Sequence, residues 1–241
     1  MRIDCLTLFP EMFNPFISSS IIGRGIEKGL FEIHIHDFRE YSLNRHKKVD
    51  DTVYGGGAGM LISVEPIVRC LKSIEGYEDA YVILTAPTGT TLNQGVAKRL
   101  KEINHLIIIC GHYEGIDARI LEYVDEVVSI GDFVLTGGEI ASMAIIDSTV
   151  RLISGVISDD STVDESFNNC LLEYDQYTKP YDYEGLKVPD ILLSGKHEEI
   201  RKWRLRNSIE KTYLLRPDLI KEENLTKEEL KIFNEIKNRT K

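Results

Sequence analysis

Five short runs rich in β-branched and aliphatic residues constrain this chain most: "IDCLTLF", "FEIHIHDF", "YVILTA", "HLIIIC" and "EVVSIG". Several are continuously apolar instead of alternating, which is the pattern of strands covered on both faces. Helical patterns fall between them, over roughly residues 11–28, 64–74, 92–103 and 139–153. Strand and helix in alternation predict an α/β fold, a mostly parallel sheet with helices on both faces.

After "LISGV" the character changes. "ISDDSTVDESFNN" is acidic and polar with little periodicity, and predicts a flexible linker. Loop-like "YTKPYDYEGLKVPDILLSG" then precedes helical patterns over 196–215 and 226–237. In the first of these, Ile200, Trp203, Leu205, Ile209, Tyr213 and Leu214 are expected to share one face. The expected organisation is an α/β domain over 1–157, a linker over 158–169 and a small helical domain over 170–241.

No apolar run approaches the roughly eighteen residues of a membrane span, and "MRIDCLTLFPEMF" carries charges inside its first apolar run, unlike an export signal. A cytoplasmic protein with no membrane partner is expected. Cys5, Cys70, Cys110 and Cys170 lie far apart with no C-x-x-C pair, so they are expected as reduced, mostly buried thiols. His34 and His36 would face one way on a strand. With no acidic or cysteine neighbour evident beside them, they are expected as ordinary strand histidines, and no metal site is predicted.

A formal charge of −10 argues against a polyanionic partner. Locally the balance reverses: Lys196 to Arg216 holds seven basic and three acidic residues, and "RHKK" at 45–48 is a second basic cluster. Each fits either a phosphate contact or a solvated face.

The glycine cluster "YGGGAGM" at 54–60 lacks the G-K-[ST] of a P-loop and the spacing of G-x-G-x-x-G, so it reads as a phosphate-side loop or a plain tight turn. Three further loops follow strands: "APTG", "GHYEG" and "IGDFVLTGGE". Ligands of open α/β sheets sit beyond the carboxyl ends of the strands, so these loops would form one pocket, built mainly of backbone with an apolar wall. Such a pocket suits a flat heteroaromatic ring better than a triphosphate.

Taken together and in order, "DDTVYGGGAGM", "CGHYEGID", "SIGDFVLTGGE", "KHEEIRKWRLRNS" and "LLRPDL" resemble the bacterial tRNA (guanine-N(1))-methyltransferases, of the trefoil-knotted SPOUT class. The resemblance runs from "LTLFPEMF" to "RPDL", essentially the whole chain. It implies a homodimer, with an active site shared between subunits, that uses S-adenosylmethionine to methylate guanosine 37 of tRNA. The family's donor site falls on Ala86 and Pro87 in the first loop, and on Gly111, Tyr113, Glu114 and Gly115 in the second. In the third it falls on Ile130, Gly131, Asp132, Phe133, Val134 and Leu135, with Gly137 and Gly138.

Guanine N(1) must lose a proton as a methyl arrives, which calls for a carboxylate base, and charge then builds on the guanine oxygen, which a guanidinium would stabilise. By resemblance the cation is Arg151, although Asp147 four residues earlier offers a helix-face ion pair instead. The base falls on Asp164 or Glu165, because "DESF" has glutamate where the family pattern has aspartate. The chain also departs from the family at Ala58, Thr88, His112 and Phe133. Two other readings remain: an inactive RNA-binding homologue, or an α/β enzyme acting on a small nucleotide-like molecule.

Overall fold

The computed structural model describes residues 1–56, 59–158, 166–167 and 170–239. The chain divides into two compact units, Met1–Asp159 and Asp160–Lys241.

In the first unit the five apolar runs become β1 (Arg2–Thr7), β2 (Glu32–Asp37), β5 (Tyr81–Thr91), β6 (His105–Cys110) and β7 (Glu126–Ser129). They form one sheet in the order β2-β1-β6-β5-β7, and every neighbouring pair is parallel. The continuous runs are explained by two cores. Ile3, Cys5, Ile83, Leu106 and Ile108 face one side, under α2 (Ser20–Glu27), α4 (Gln94–Lys101) and α5 (Glu139–Val150). Leu6, Val82, Leu84, Ile107 and Ile109 face the other, under α3 (Val64–Ser73). Residues 106–110 of β6 are all buried, and each large apolar side chain contributes about 1.5–3 kcal/mol. The α/β expectation therefore holds.

The single helix expected over 11–28 is three pieces: a 3-10 turn at Pro10–Phe13, α1 (Asn14–Ser18) and α2. Ser19 is extended and Ser20 is left-handed, with φ 55°. Pro15 opens α1, and serines 18–20 favour helix ends over helix interiors, which breaks the apolar period into segments. "APTG" is likewise no separate loop but an irregularity inside β5. Thr85 and Thr90 both pair with Val128, and the four residues between them bulge out.

A short hairpin, β3 (Asp50–Thr52) with β4 (Met60–Ile62), carries the glycine cluster. Gly57 and Ala58 lie outside the described residues.

The expected lack of an acid beside the strand histidines is overturned. Asp4, fully buried on β1, accepts a hydrogen bond from His36 on β2 at 2.6 Å and from His105 on β6 at 2.8 Å. Arg2 binds the same carboxylate at 2.7 Å. The partner comes from the adjacent strand, which spacing along β2 could not reveal.

In the second unit, α6 (His197–Leu215) and α7 (Lys227–Arg239) pack around Leu171, Ile209, Phe233 and Ile236. Tyr213 meets Phe233 edge-on at 5.6 Å. Leu214, expected on the packed face, is 62% exposed, because the buried stripe instead runs through Ser208, Ile209 and Thr212. A small antiparallel pair, β8 (Asp182–Tyr183) and β9 (Leu186–Lys187), precedes α6.

Candidate active site

Three segments meet at the carboxyl ends of β5, β6 and β7, adjacent strands of the sheet, and enclose a cavity of about 490 Å3. They are the bulge of β5, the turn after β6, and the chain between β7 and α5. Each is held in place by backbone. Gly138 donates its N–H to the Gly111 carbonyl at 2.7 Å, and His112 and Gly137 form an antiparallel bridge. A Cβ on Gly138 would lie 2.8 Å from the Gly111 nitrogen and 3.0 Å from the Cys110 Cα, so only glycine permits this crossing. Gly89 is similarly obliged, since a Cβ there would lie 2.5 Å from the Val128 nitrogen.

Of the residues expected to hold a donor, Ala86, Pro87, Gly111, Tyr113, Glu114 and Gly115 line this cavity. So do Ile130, Gly131, Phe133, Val134, Leu135, Gly137 and Gly138. Asp132 does not. Gly131 and Phe133 on either side of it do. Among the described residues the lining holds one carboxylate, Glu114, and no lysine or arginine. An apolar wall with a single negative group favours a cationic or neutral ligand and disfavours a polyphosphate.

His112, marked in the sequence only as a departure from the family, is part of the wall, and Thr7 and Glu139 stand behind it. The Tyr113 N–H donates to His112 Nδ1 at 2.9 Å, which requires a lone pair on that nitrogen. Tyr113 itself is left-handed, with φ 58°. His112 is flanked by Phe9 at 4.9 Å and Tyr113 at 5.1 Å between ring centroids. Glu139, the first residue of α5, is 2% exposed, and its carboxylate accepts from the Thr7 hydroxyl at 2.8 Å. That hydroxyl in turn accepts from the Phe9 N–H at 2.9 Å. The end of β1 is thereby tied to the start of α5 behind the cavity. The signal for Glu139 was a charged residue in "TGGEI", at the start of a largely apolar helix.

The glycine hairpin belongs to this site as well. Glu114 donates its N–H to the Met60 carbonyl at 3.3 Å, Ile62 donates to Gly115 at 3.0 Å, and Asp117 donates to Ile62 at 2.9 Å. Strand β4 is thus zipped to the loop that carries the cavity's carboxylate.

Arg151 stands at the C-terminal end of α5, half-buried, with its backbone N–H on the Asp147 carbonyl at 3.2 Å. Asp164 and Glu165 lie outside the described residues.

The family model for tRNA (Guanine-1)-methyltransferase TrmD matches residues 1–222. The chain belongs to this family. A tRNA (guanine-N(1)-)-methyltransferase of Dictyoglomus turgidum is 50% identical over 238 residues, covering 98% of this chain and 97% of that protein. Proteins of the same name from Clostridium botulinum (strain Hall) and Streptococcus suis are each 54% identical, with 98% of both chains covered. Membership of the TrmD family bears out the resemblance carried by the glycine hairpin, the "GHYEG" turn and the "VLTGGE" segment, and these same three segments converge on the cavity and its carboxylate.

Proposed function

We propose that the chain transfers the methyl group of S-adenosylmethionine to N(1) of guanosine 37 in tRNA, as a cytoplasmic homodimer whose active site is shared between subunits. The observation that carries this reading is the cavity at the strand ends, with one carboxylate and no lysine or arginine in its lining, in a chain of this family. The donor is cationic, and about 490 Å3 falls within the range of about 300–1,000 Å3 usual for small-molecule sites. S-adenosylmethionine supplies an electrophilic methyl group on a sulfonium.

The chain's own residues then have separable tasks. Glu114 offers the negative charge that a cationic ligand needs, and the backbone of residues 130–138 offers donors and acceptors for a flat ring. The apolar side chains Phe133 and Leu135 form part of the cavity's wall. Asp164 or Glu165 accepts the N(1) proton, and Arg151 stabilises charge on the guanine oxygen. The Gly138 N–H on the Gly111 carbonyl holds the segment that enters α5 against the turn after β6. Met12 and Ile140, on the mutually packed Pro10–Phe13 turn and α5, are 42% and 53% exposed, which supports a second copy as their cover. No helix among the described residues is long and apolar enough to cross a membrane.

The deciding experiment incubates the protein with labelled S-adenosylmethionine and an unmodified tRNA bearing guanosines at 36 and 37, then maps the product by mass spectrometry. Methyl on guanine 37 is expected. Asp164→Asn or Glu165→Gln, whichever removes the base, should slow transfer by about 10²–10⁴-fold with donor binding intact. Donor binding without methylation of any tRNA would overturn the proposal.

A further inference from the structure

The motif "KWRLRNSIEKT" on α6 is basic, yet its polar side chains are turned to a task within the second unit. Residues 172–178 form no regular element, and their backbone is held by side chains of α6. The Leu172 N–H donates to the Thr212 hydroxyl at 2.9 Å, and the Ser208 hydroxyl donates to the Leu172 carbonyl. On the adjacent row of the same two turns, the Asp175 N–H donates to Asn207 Oδ1 at 2.7 Å, while Asn207 Nδ2 and Lys211 Nζ hold the Asp175 carboxylate at 3.1 and 2.7 Å. Arg204 lies over the Tyr174 ring at 4.8 Å. These side chains repeat at i, i+4 along the helix, so one stripe of α6 grips the segment through two of its peptide units.

Ser208 and Thr212 sit within the buried stripe, 8% and 0% exposed, where an apolar residue would pack at no desolvation cost. Hydroxyls at these positions fix the register of Leu172 on the helix, which apolar packing would not do. Leu171 beside it is buried in the core of the unit.

The grip continues upstream. The Phe167 N–H donates to the Leu171 carbonyl at 2.9 Å, and the Glu173 N–H donates to Ser166 Oγ at 2.9 Å. Phe167 and Cys170 are both left-handed, with φ 70° and 58°, as a tight reversal requires. Ser166 is therefore the last link of a chain of hydrogen bonds that starts on α6. It is also the residue next to Glu165 and two from Asp164.

We infer that Ser166 is a positioning residue for methyl transfer: the clamp from α6 to Ser166 sets the point from which the linker acid reaches the guanine. This rests on the proposal that Asp164 or Glu165 is the base. Successive Cα atoms are about 3.8 Å apart, so either carboxylate is one or two peptide units from the anchor. Fixing that end narrows the volume the acid must search, and a misplacement of about 1 Å at a reacting group costs on the order of 10²-fold.

The test is single-turnover methyl transfer by the full-length protein at saturating tRNA and S-adenosylmethionine, with Kd measured for both. Ser166→Ala should slow the transfer step by roughly 10–100-fold and leave both Kd values unchanged. Ser166→Thr, which keeps the hydroxyl, should restore the rate. Asn207→Ala, which loosens the clamp from the helix side, should slow the same step. Combined with the inactivating acid variant, Ser166→Ala should cost nothing further, because the clamp acts only through that acid. A Ser166→Ala rate within about twofold of wild type beside an inactive acid variant would overturn the inference and leave the base assignment standing. A further additive loss in the acid-variant background would overturn it too, as a general structural effect. Full activity in both Asp164→Asn and Glu165→Gln would instead overturn the base assignment, and the clamp's role with it.

Discussion

Gly138 shows how much of this site is decided at single residues. Its nitrogen bonds to Gly111, its carbonyl accepts from the Ser142 N–H and hydroxyl at 2.8 Å each, and a side chain would strike the backbone of residues 110–111. Backbone cannot rotate away as a side chain can, so the helix start and the turn after β6 must separate to admit a methyl group. Overpacking of this kind costs about 1–3 kcal/mol. Gly138→Ala is expected to lower the melting temperature modestly and to weaken S-adenosylmethionine binding at least tenfold by calorimetry, because the two walls of the cavity are the parts displaced. His112 sits opposite, its ring holding the Tyr113 N–H. The tyrosine turn depends on this imidazole acceptor, because a guanidinium at the same position could only donate.

At the scale of elements, β1, β2 and β6 are joined by a charge as well as by their ladders. Burial pushes the Asp4 carboxyl up, and hydrogen bonds from His36, Arg2 and His105 more than reverse this, holding it well below the usual carboxylate range. A carboxyl whose folded pKa is depressed adds stability that is complete above its unfolded pKa of about 4 and erodes as pH falls below that value. Asp4→Asn should therefore cost about 3 kcal/mol in urea unfolding at pH 7, since three partly buried donors lose their charge partner. The gap from wild type should close as the pH is lowered from about 4 toward 2. Nothing along β1 announces this group, because an aspartate in "RIDCLTL" looks like a strand-edge charge until β2 and β6 arrive on either side. The strands themselves were legible, for continuous apolar runs have few other uses. So were α3 and α4, from their period, and α5, as a long apolar run after two glycines. The bulge inside β5 was not, since it depends on what the chain packs against, whereas the break at Ser19 had a local signal in Pro15 and serines 18–20 that the apolar period obscured. The cavity's lining was legible from glycines at strand ends, but the tie between Thr7 and Glu139 behind it rests on a contact distant in sequence.

For the whole molecule the remaining question is how a chain of net charge −10 would hold a polyanion. The seven basic residues of 196–216 suggested a phosphate grip, but six of them already face carboxylates. Arg201 binds Glu198 and Glu228, Arg206 binds Glu235, Lys211 binds Asp175, and Arg216 binds Asp218. Lys196 and Lys202 lie near Glu199 and Glu198. The seventh, Arg204, lies over Tyr174. Exposed pairs are individually weak, about 0–1 kcal/mol, so a phosphate can displace the carboxylate. It then gains a cation and a repelling anion together. Seven free contacts would give log Kobs against log salt a slope of about −5 to −6, from 0.7–0.9 per phosphate. A slope no steeper than about −3 is expected here for unmodified tRNA. Releasing Arg201 and Lys202 with Glu198→Gln and Glu228→Gln should steepen it by about one to two and tighten binding at low salt. A wild-type slope near −6 would mean instead that the paired acids swing clear when tRNA binds, and the double variant would then leave the slope unchanged.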